Sequence, residues 1–187
     1  GAGNVARCIA ALGGSVQCLG VVGKDQEGEM LLNLLHAEGI LIPHMLRIEG
    51  RPTTVKRSIV GLAQHRHPQK MFRLDRESKE PLCESEYDTL VEALKMLLPT
   101  TDVVCIEDYG KGVLSKATCE QVIALCNNAG VEVLVDPANL NDYARYKRAT
   151  AITPNRSEAE KATGVRIDED DPIGGATSLA ITLCESL

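Results

Sequence analysis

Apolar positions recur along the chain at two periods, one helical and one strand-like. Val5, Cys8, Ile9 and Leu12 fall at helical spacing in 1–12, and Gly13-Gly14 ends the run. Residues 15–22 form a short apolar strand closed by Gly23. Over 26–38, Met30, Leu31, Leu34 and Leu35 share one helical face, with Gly39 as the stop. Alternation of strand and helix across short loops predicts a layered α/β fold.

Residues 40–78 break this rhythm. The stretches 40–48, 53–60 and 70–74 read as short strands with no helix between them, punctuated by Pro43, Pro52 and Pro68. The expectation is an antiparallel flap inserted at about 40–78, with the polar segment 61–68 as its turn. The alternation then resumes. A helix over 84–98 turns Leu90, Val91, Leu94 and Leu98 inward, and 102–106 is a nearly all-apolar strand, as buried parallel strands are. A helix follows over 115–129, closed by Gly130, then strands at 131–135 and 149–152 and helices over 155–163 and 171–187.

Ligands of open α/β sheets sit outside the carboxyl ends of the strands. Three strands here end in polar residues: Glu107-Asp108-Tyr109-Gly110-Lys111-Gly112, Asp136-Pro137, and Thr153-Pro154-Asn155-Arg156-Ser157-Glu158. These turns are expected to converge on one pocket roofed by the flap. Asn155 with Glu158 also has the spacing of a capping box, a role that needs no function. A polar helix start of that kind also favours anions.

Composition narrows the classes. Lys plus Arg number 20 and Asp plus Glu 26, for a formal charge of -6, which argues against a nucleic-acid surface. Aromatics are 3% with no Trp, so base-stacking platforms are scarce. No apolar run approaches the ~18 residues of a membrane helix. The 7 cysteines form no C-x-x-C pair, and most lie in apolar stretches, so they read as buried, reduced thiols of a cytoplasmic protein. There is no Walker A sequence and no nucleophile elbow. Gly1-Ala2-Gly3-Asn4 allows close backbone approach to a ligand but is not a dinucleotide fingerprint. His65 and His67 form a spaced pair in a polar turn, better read as solvated than as metal ligands. Lys56, Arg57, Arg66, Lys70, Arg73 and Arg76 make the flap basic, either as a solvated face or as a surface for a phosphorylated substrate.

The order of these motifs resembles the PfkB/ribokinase carbohydrate kinases. The residues that carry the likeness are Gly1-Ala2-Gly3-Asn4-Val5-Ala6 with Gly13 and Gly23, then Gly23-Lys24-Asp25-x-x-Gly28, Asp136-Pro137 and Asn155-x-x-Glu158. Arg51-Pro52-Thr53-Thr54-Val55-Lys56, Arg73-Leu74-Asp75-Arg76-Glu77, Asp108-Tyr109-Gly110-Lys111-Gly112 and Thr153-Pro154-Asn155-Arg156-Ser157-Glu158 resemble the subgroup acting on D-glycero-β-D-manno-heptose 7-phosphate in ADP-heptose biosynthesis, the route to lipopolysaccharide core. The resemblance implies a ribokinase-like three-layer αβα fold with a small β-strand lid. It also implies transfer of the γ-phosphoryl of ATP, with Mg²⁺, to the anomeric hydroxyl, giving the 1,7-bisphosphate. Gly3 and Asn4 would then hold the sugar, with Asp108 near it and Lys56, Arg73 and Lys111 on its phosphate. Asp136, Asn155, Arg156, Ser157 and Glu158 would face the nucleotide, Glu158 reaching the metal through water. A homodimer through the lid is implied as well. The alternatives are another PfkB sugar or nucleoside kinase, or a non-catalytic ribokinase-like binding subunit.

The family's second signature, a Gly-Ala-Gly-Asp run that supplies the catalytic base, does not occur in these 187 residues. The base is therefore expected beyond Leu187, and the sugar-binding Asp of the family's first strand before Gly1. The expectation is that residues 1–187 form a partial kinase domain, inactive by itself.

Overall fold

The computed structural model describes residues 1–62, 67–168 and 170–186. The chain divides into two compact units, residues 3–80 and residues 1–2 with 81–187. Residues 63–66, which include His65 and Arg66, lie outside the described residues.

The first unit opens with α1 (Ala2–Ala11), β1 (Gln17–Gly23), α2 (Gln26–Ala37) and β2 (Leu41–Ile48). β1 and β2 pair in parallel, Val21 beside Leu46. This corrects the expected flap. Residues 41–48 belong to a strand–helix–strand unit, because a strand returning through a helix runs parallel to the one before it. The flap is shorter, an antiparallel pair of β3 (Val55–Gly61) and β4 (Gln69–Arg76), with a bulge between Ile59 and Val60.

Ala6, Leu35 and Ile40 form a buried cluster with Ala10, Val16 and Leu31 packed on it. The inward face of α1 therefore consists of its small residues. Cys8 lies outside, and Leu12 is 89% exposed, against the expected pattern. Small side chains let the backbone approach closely: a Cβ on Gly3 would lie 3.5 Å from Leu35 and 3.6 Å from Leu31. α2 is rotated from the expected phase. Gly28, Leu32 and Leu35 are buried, while Met30 and Leu34 face out. Gly28 sets this phase, since a Cβ there would run into the Gly23 carbonyl oxygen.

The second unit contains α3 (Glu84–Leu97), β5 (Val103–Glu107), α4 (Lys116–Ala129), β6 (Glu132–Asp136), β7 (Ala151–Ile152), α5 (Arg156–Thr163) and α6 (Pro172–Ser186). β5, β6 and β7 make a parallel sheet in that order. α4 starts where Ser115 accepts the Thr118 amide at 3.0 Å, and it ends at Gly130, whose φ of 73° only glycine adopts easily. Its inner face of Cys119, Ile123 and Cys126 is buried, as are Val133 and Val135 of β6. These two cysteines are the buried ones. Cys8, Cys83, Cys105 and Cys184 are exposed and all seven are unbridged, so the reading of mostly buried thiols holds for only two.

Candidate active site

Parallel register brings the ends of β5 and β6 side by side. Glu107 is the partner of Asp136, and the Asp108 amide donates to the Asp136 carbonyl at 3.0 Å. On the next strand the Thr153 amide donates to the Val135 carbonyl at 2.9 Å. Turns 107–112, 136–137 and 153–158 thus leave one edge of one sheet.

Side chains alternate across this edge. Asp108 points inward and is 4% exposed. Its Oδ1 accepts the Gly110 amide at 2.8 Å, and its Oδ2 accepts the Tyr146 hydroxyl at 2.7 Å and Arg145 at 3.3 Å. Tyr146, wholly buried, in turn accepts the Ala138 amide at 3.1 Å. The expected sugar contact is therefore a carboxylate whose two oxygens tie the turn after β5 to residues 138–146. Lys111 lies half-buried in the same turn.

Glu107 points the other way. The Tyr109 hydroxyl lies 3.0 Å from Glu107 and 3.4 Å from Asp136, bridging the two carboxylates. Burial pushes the Glu107 carboxyl above its usual range; the Asp136 charge adds to this, while the Tyr109 hydrogen bond opposes it. Burial also raises the Tyr109 phenol, and the two carboxylates reinforce it. The sequence singles out Glu107 and Tyr109 as part of this polar turn but assigns neither a role. The available signal was that acids ending adjacent parallel strands come into register.

At the start of α5 the capping box is complete. Asn155 Oδ1 accepts the Glu158 amide at 3.1 Å and the Ser157 hydroxyl at 2.8 Å, and Glu158 Oε2 accepts the Asn155 amide at 2.9 Å. Arg156 turns along the helix to Glu160 at 2.9 Å and to the Ile167 carbonyl at 3.0 Å. Tyr143 is 3% exposed and leans on Tyr146, with ring centroids 5.7 Å apart. Its hydroxyl finds no partner among the described residues. Burial pushes this phenol up to about 12, and the charges of Glu158 and Asp136 contribute.

Oxygen donors of this kind suit a hard cation. Asp136, Glu158 and the free amides of the first turn of α5 fit a magnesium–phosphate group, which needs few protein ligands. Among the described residues no cluster of three or more metal-ligating side chains occurs.

In the other unit, Gly3 is half-buried and Asn4 exposed on α1. Lys56 and Arg73 share one face of the flap, Lys56 opposite Asp75 and Arg73 opposite Ser58. Arg73 is engaged by Asp75 through bonds of 2.6 and 2.8 Å.

Both units are built from parallel strands joined by helices, with an antiparallel pair added to the first, which is an α/β architecture. The profile of the pfkB family of carbohydrate kinases matches residues 1–176, and the chain belongs to that family. It is 38% identical over 193 residues to bifunctional protein HldE of Desulfatibacillum aliphaticivorans, covering 98% of this chain and 38% of that protein. It is 40% identical over 168 residues to bifunctional protein HldE of Campylobacter curvus, covering 89% and 34%. The chain thus spans well under half the length of these relatives. Among solved structures, Thermotoga maritima 2-dehydro-3-deoxygluconokinase matches with TM-score 0.72 at 16% identity, covering 98% of this chain and 58% of that one. Arabidopsis thaliana ribokinase complexed with ribose and ATP matches with TM-score 0.64 at 15% identity, covering 96% and 56%. The fold is α/β and ribokinase-like. No helix among the described residues is long and apolar enough to cross a membrane.

Proposed function

We propose that this chain is part of an ATP-dependent kinase that phosphorylates D-glycero-β-D-manno-heptose 7-phosphate at its anomeric hydroxyl, in the cytoplasm, for ADP-heptose synthesis. The observation that carries the reading is the single sheet edge from which Asp136 and the turn leading to the capped start of α5 both leave, in a pfkB-family chain similar to the HldE proteins. Bound Mg²⁺ would offset the charge of the transferring phosphoryl group. Asp136 and Glu158 would hold that group through oxygen contacts, with Glu158 acting through water. Amides of the first turn of α5 would bind phosphate oxygens. Asn4 and Gly3 would meet sugar hydroxyls, and Lys56, Arg73 and Lys111 the 7-phosphate. Asp108, turned inward, would shape the turn that carries Lys111.

The experiment is ADP release by the full-length protein with heptose 7-phosphate, fructose 6-phosphate, ribose and adenosine offered separately. Turnover confined to the heptose phosphate is expected. Preference for another sugar or nucleoside would replace the substrate, and binding without turnover would favour a non-catalytic subunit.

Lys56→Ala is expected to raise KM for the heptose phosphate roughly tenfold, as loss of one charge-assisted bond does. Arg73→Ala should cost less, since Asp75 already occupies that guanidinium. An unchanged KM in both variants would remove the flap from phosphate recognition.

A homodimer through the flap is also proposed. Phe72 and Leu74 are 51% and 56% exposed and share the face opposite Lys56. Light scattering should give twice the monomer mass for the parent and the monomer mass for Phe72→Lys. A monomeric parent at micromolar concentration would refute it.

A further inference from the structure

Three sequence motifs that the proposed contacts leave partly unused meet at one carboxylate. Asp25, from Gly23-Lys24-Asp25-x-x-Gly28, caps α2 by accepting the Gly28 amide at 2.9 Å. The same Oδ1 accepts the Thr53 hydroxyl at 2.6 Å, while Oδ2 accepts the Thr53 amide at 2.9 Å. Thr53, from Arg51-Pro52-Thr53-Thr54-Val55-Lys56, is 5% exposed, and its hydroxyl oxygen accepts the Gly23 amide at 2.8 Å. Arg76 closes β4 in the third motif and donates to Asp25 Oδ2 at 3.4 Å and to Glu27 at 3.5 Å. A Cβ on Gly23 would run into the Arg51 carbonyl oxygen, so the knot closes only around glycine.

Val55 and Arg76 are register partners, so Thr53 and Arg76 mark the two roots of the flap. The Thr53 root is buried and held by two bonds to a carboxylate, which are strong ones. The Arg76 root is an exposed, longer pair and holds weakly. Hydrogen bonds from Thr53 keep the Asp25 carboxyl below the usual range, as expected of a charge that the fold holds ionised.

We propose that Asp25 is a positioning residue for the sugar phosphate: through Thr53, with a weaker contribution at Arg76, it anchors the base of the flap and so sets where Lys56 and Arg73 present their charges. This rests on the proposed phosphate-binding role of those cations. A flap with a loosened root populates the competent arrangement less, and apparent affinity falls by that fraction. The residues expected to meet the nucleotide lie outside this unit, so nucleotide binding should not respond.

The test uses the full-length protein with Asp25→Asn, Thr53→Val and Thr53→Ser. Asparagine still caps a helix and keeps the bond from the Thr53 hydroxyl, but turns its NH2 group toward the Thr53 amide and Arg76, so the α2 start survives while the bonds at Oδ2 fail. Asp25→Asn and Thr53→Val are expected to raise KM for heptose 7-phosphate about tenfold, leave KM for ATP unchanged, and speed amide hydrogen exchange across 55–61 and 69–76. Thr53→Ser should behave as the parent. Unchanged flap exchange in Asp25→Asn, or a parallel rise in both KM values, would overturn the inference. A parent that accepts no sugar phosphate would overturn the functional reading and this inference with it. A parent that accepts it, beside unaltered variants, would overturn the inference alone.

Discussion

Asp108→Ala is expected to lower the unfolding free energy by about 3–5 kcal/mol, the range for removing one partner of a buried ion pair. The variant strands three donors at once: the Gly110 amide, the Tyr146 hydroxyl and the Arg145 guanidinium. Tyr146 is wholly buried and has no route to solvent as compensation. Asp108→Asn should lose roughly half as much, because one amide oxygen can still serve Gly110 while the amine opposes Arg145. Equilibrium urea unfolding followed by circular dichroism measures both. A loss for the alanine variant below about 1 kcal/mol, the worth of one ordinary hydrogen bond, would show that the network does not hold these turns together. The asparagine variant also tests the sugar-contact expectation from sequence. If the carboxylate works internally, it should change stability far more than KM for the sugar.

Glu158→Gln is expected to reduce sugar-phosphate-dependent ADP release by the full-length protein about 100-fold, the upper range for a residue supporting a metal group, without lowering its melting temperature. The two roles of this side chain then separate. Glutamine at the third helical position still reaches back to the Asn155 amide, so the start of α5 is preserved. Only the negative charge goes, and with it the proposed hold on magnesium-bound water. Glu158→Ala should add a stability loss of about 1 kcal/mol, since the reciprocal bond to Asn155 also disappears. Release at the parental rate by Glu158→Gln would mean that the residue is a cap and nothing more.

Much of the architecture was legible because short loops and clear stops bracket each element. Gly39 and Gly130 end their helices as the sequence indicates, and Ser115 and Asn155 begin theirs by accepting amides. Phase was harder to read. α1 and α2 are rotated because Gly3, Ala6 and Gly28 seek close backbone contact, and a hydrophobicity pattern rewards large residues instead. Residues 41–48 were grouped with the flap because they precede two further short, proline-marked strands with no helix between, while their pairing direction is set by the helix before them. In the site, the capping box followed from spacing. The inward turn of Asp108 and outward turn of Glu107 did not, since strand parity fixes them and a one-residue uncertainty in the end of β5 exchanges their roles. Tyr143 and Tyr146 carried no local signal, as their neighbours come from turns far away in the chain.

The bridged carboxylates of Glu107 and Asp136 set a condition on any visitor. Two like charges at the rim of one sheet repel a bare polyanion, and the overall charge of -6 deepens that barrier. A triphosphate, if it binds at this edge as proposed, would settle there more easily once its own charge is masked. On the proposed placement of the nucleotide at this rim, its entry would therefore depend on a divalent cation.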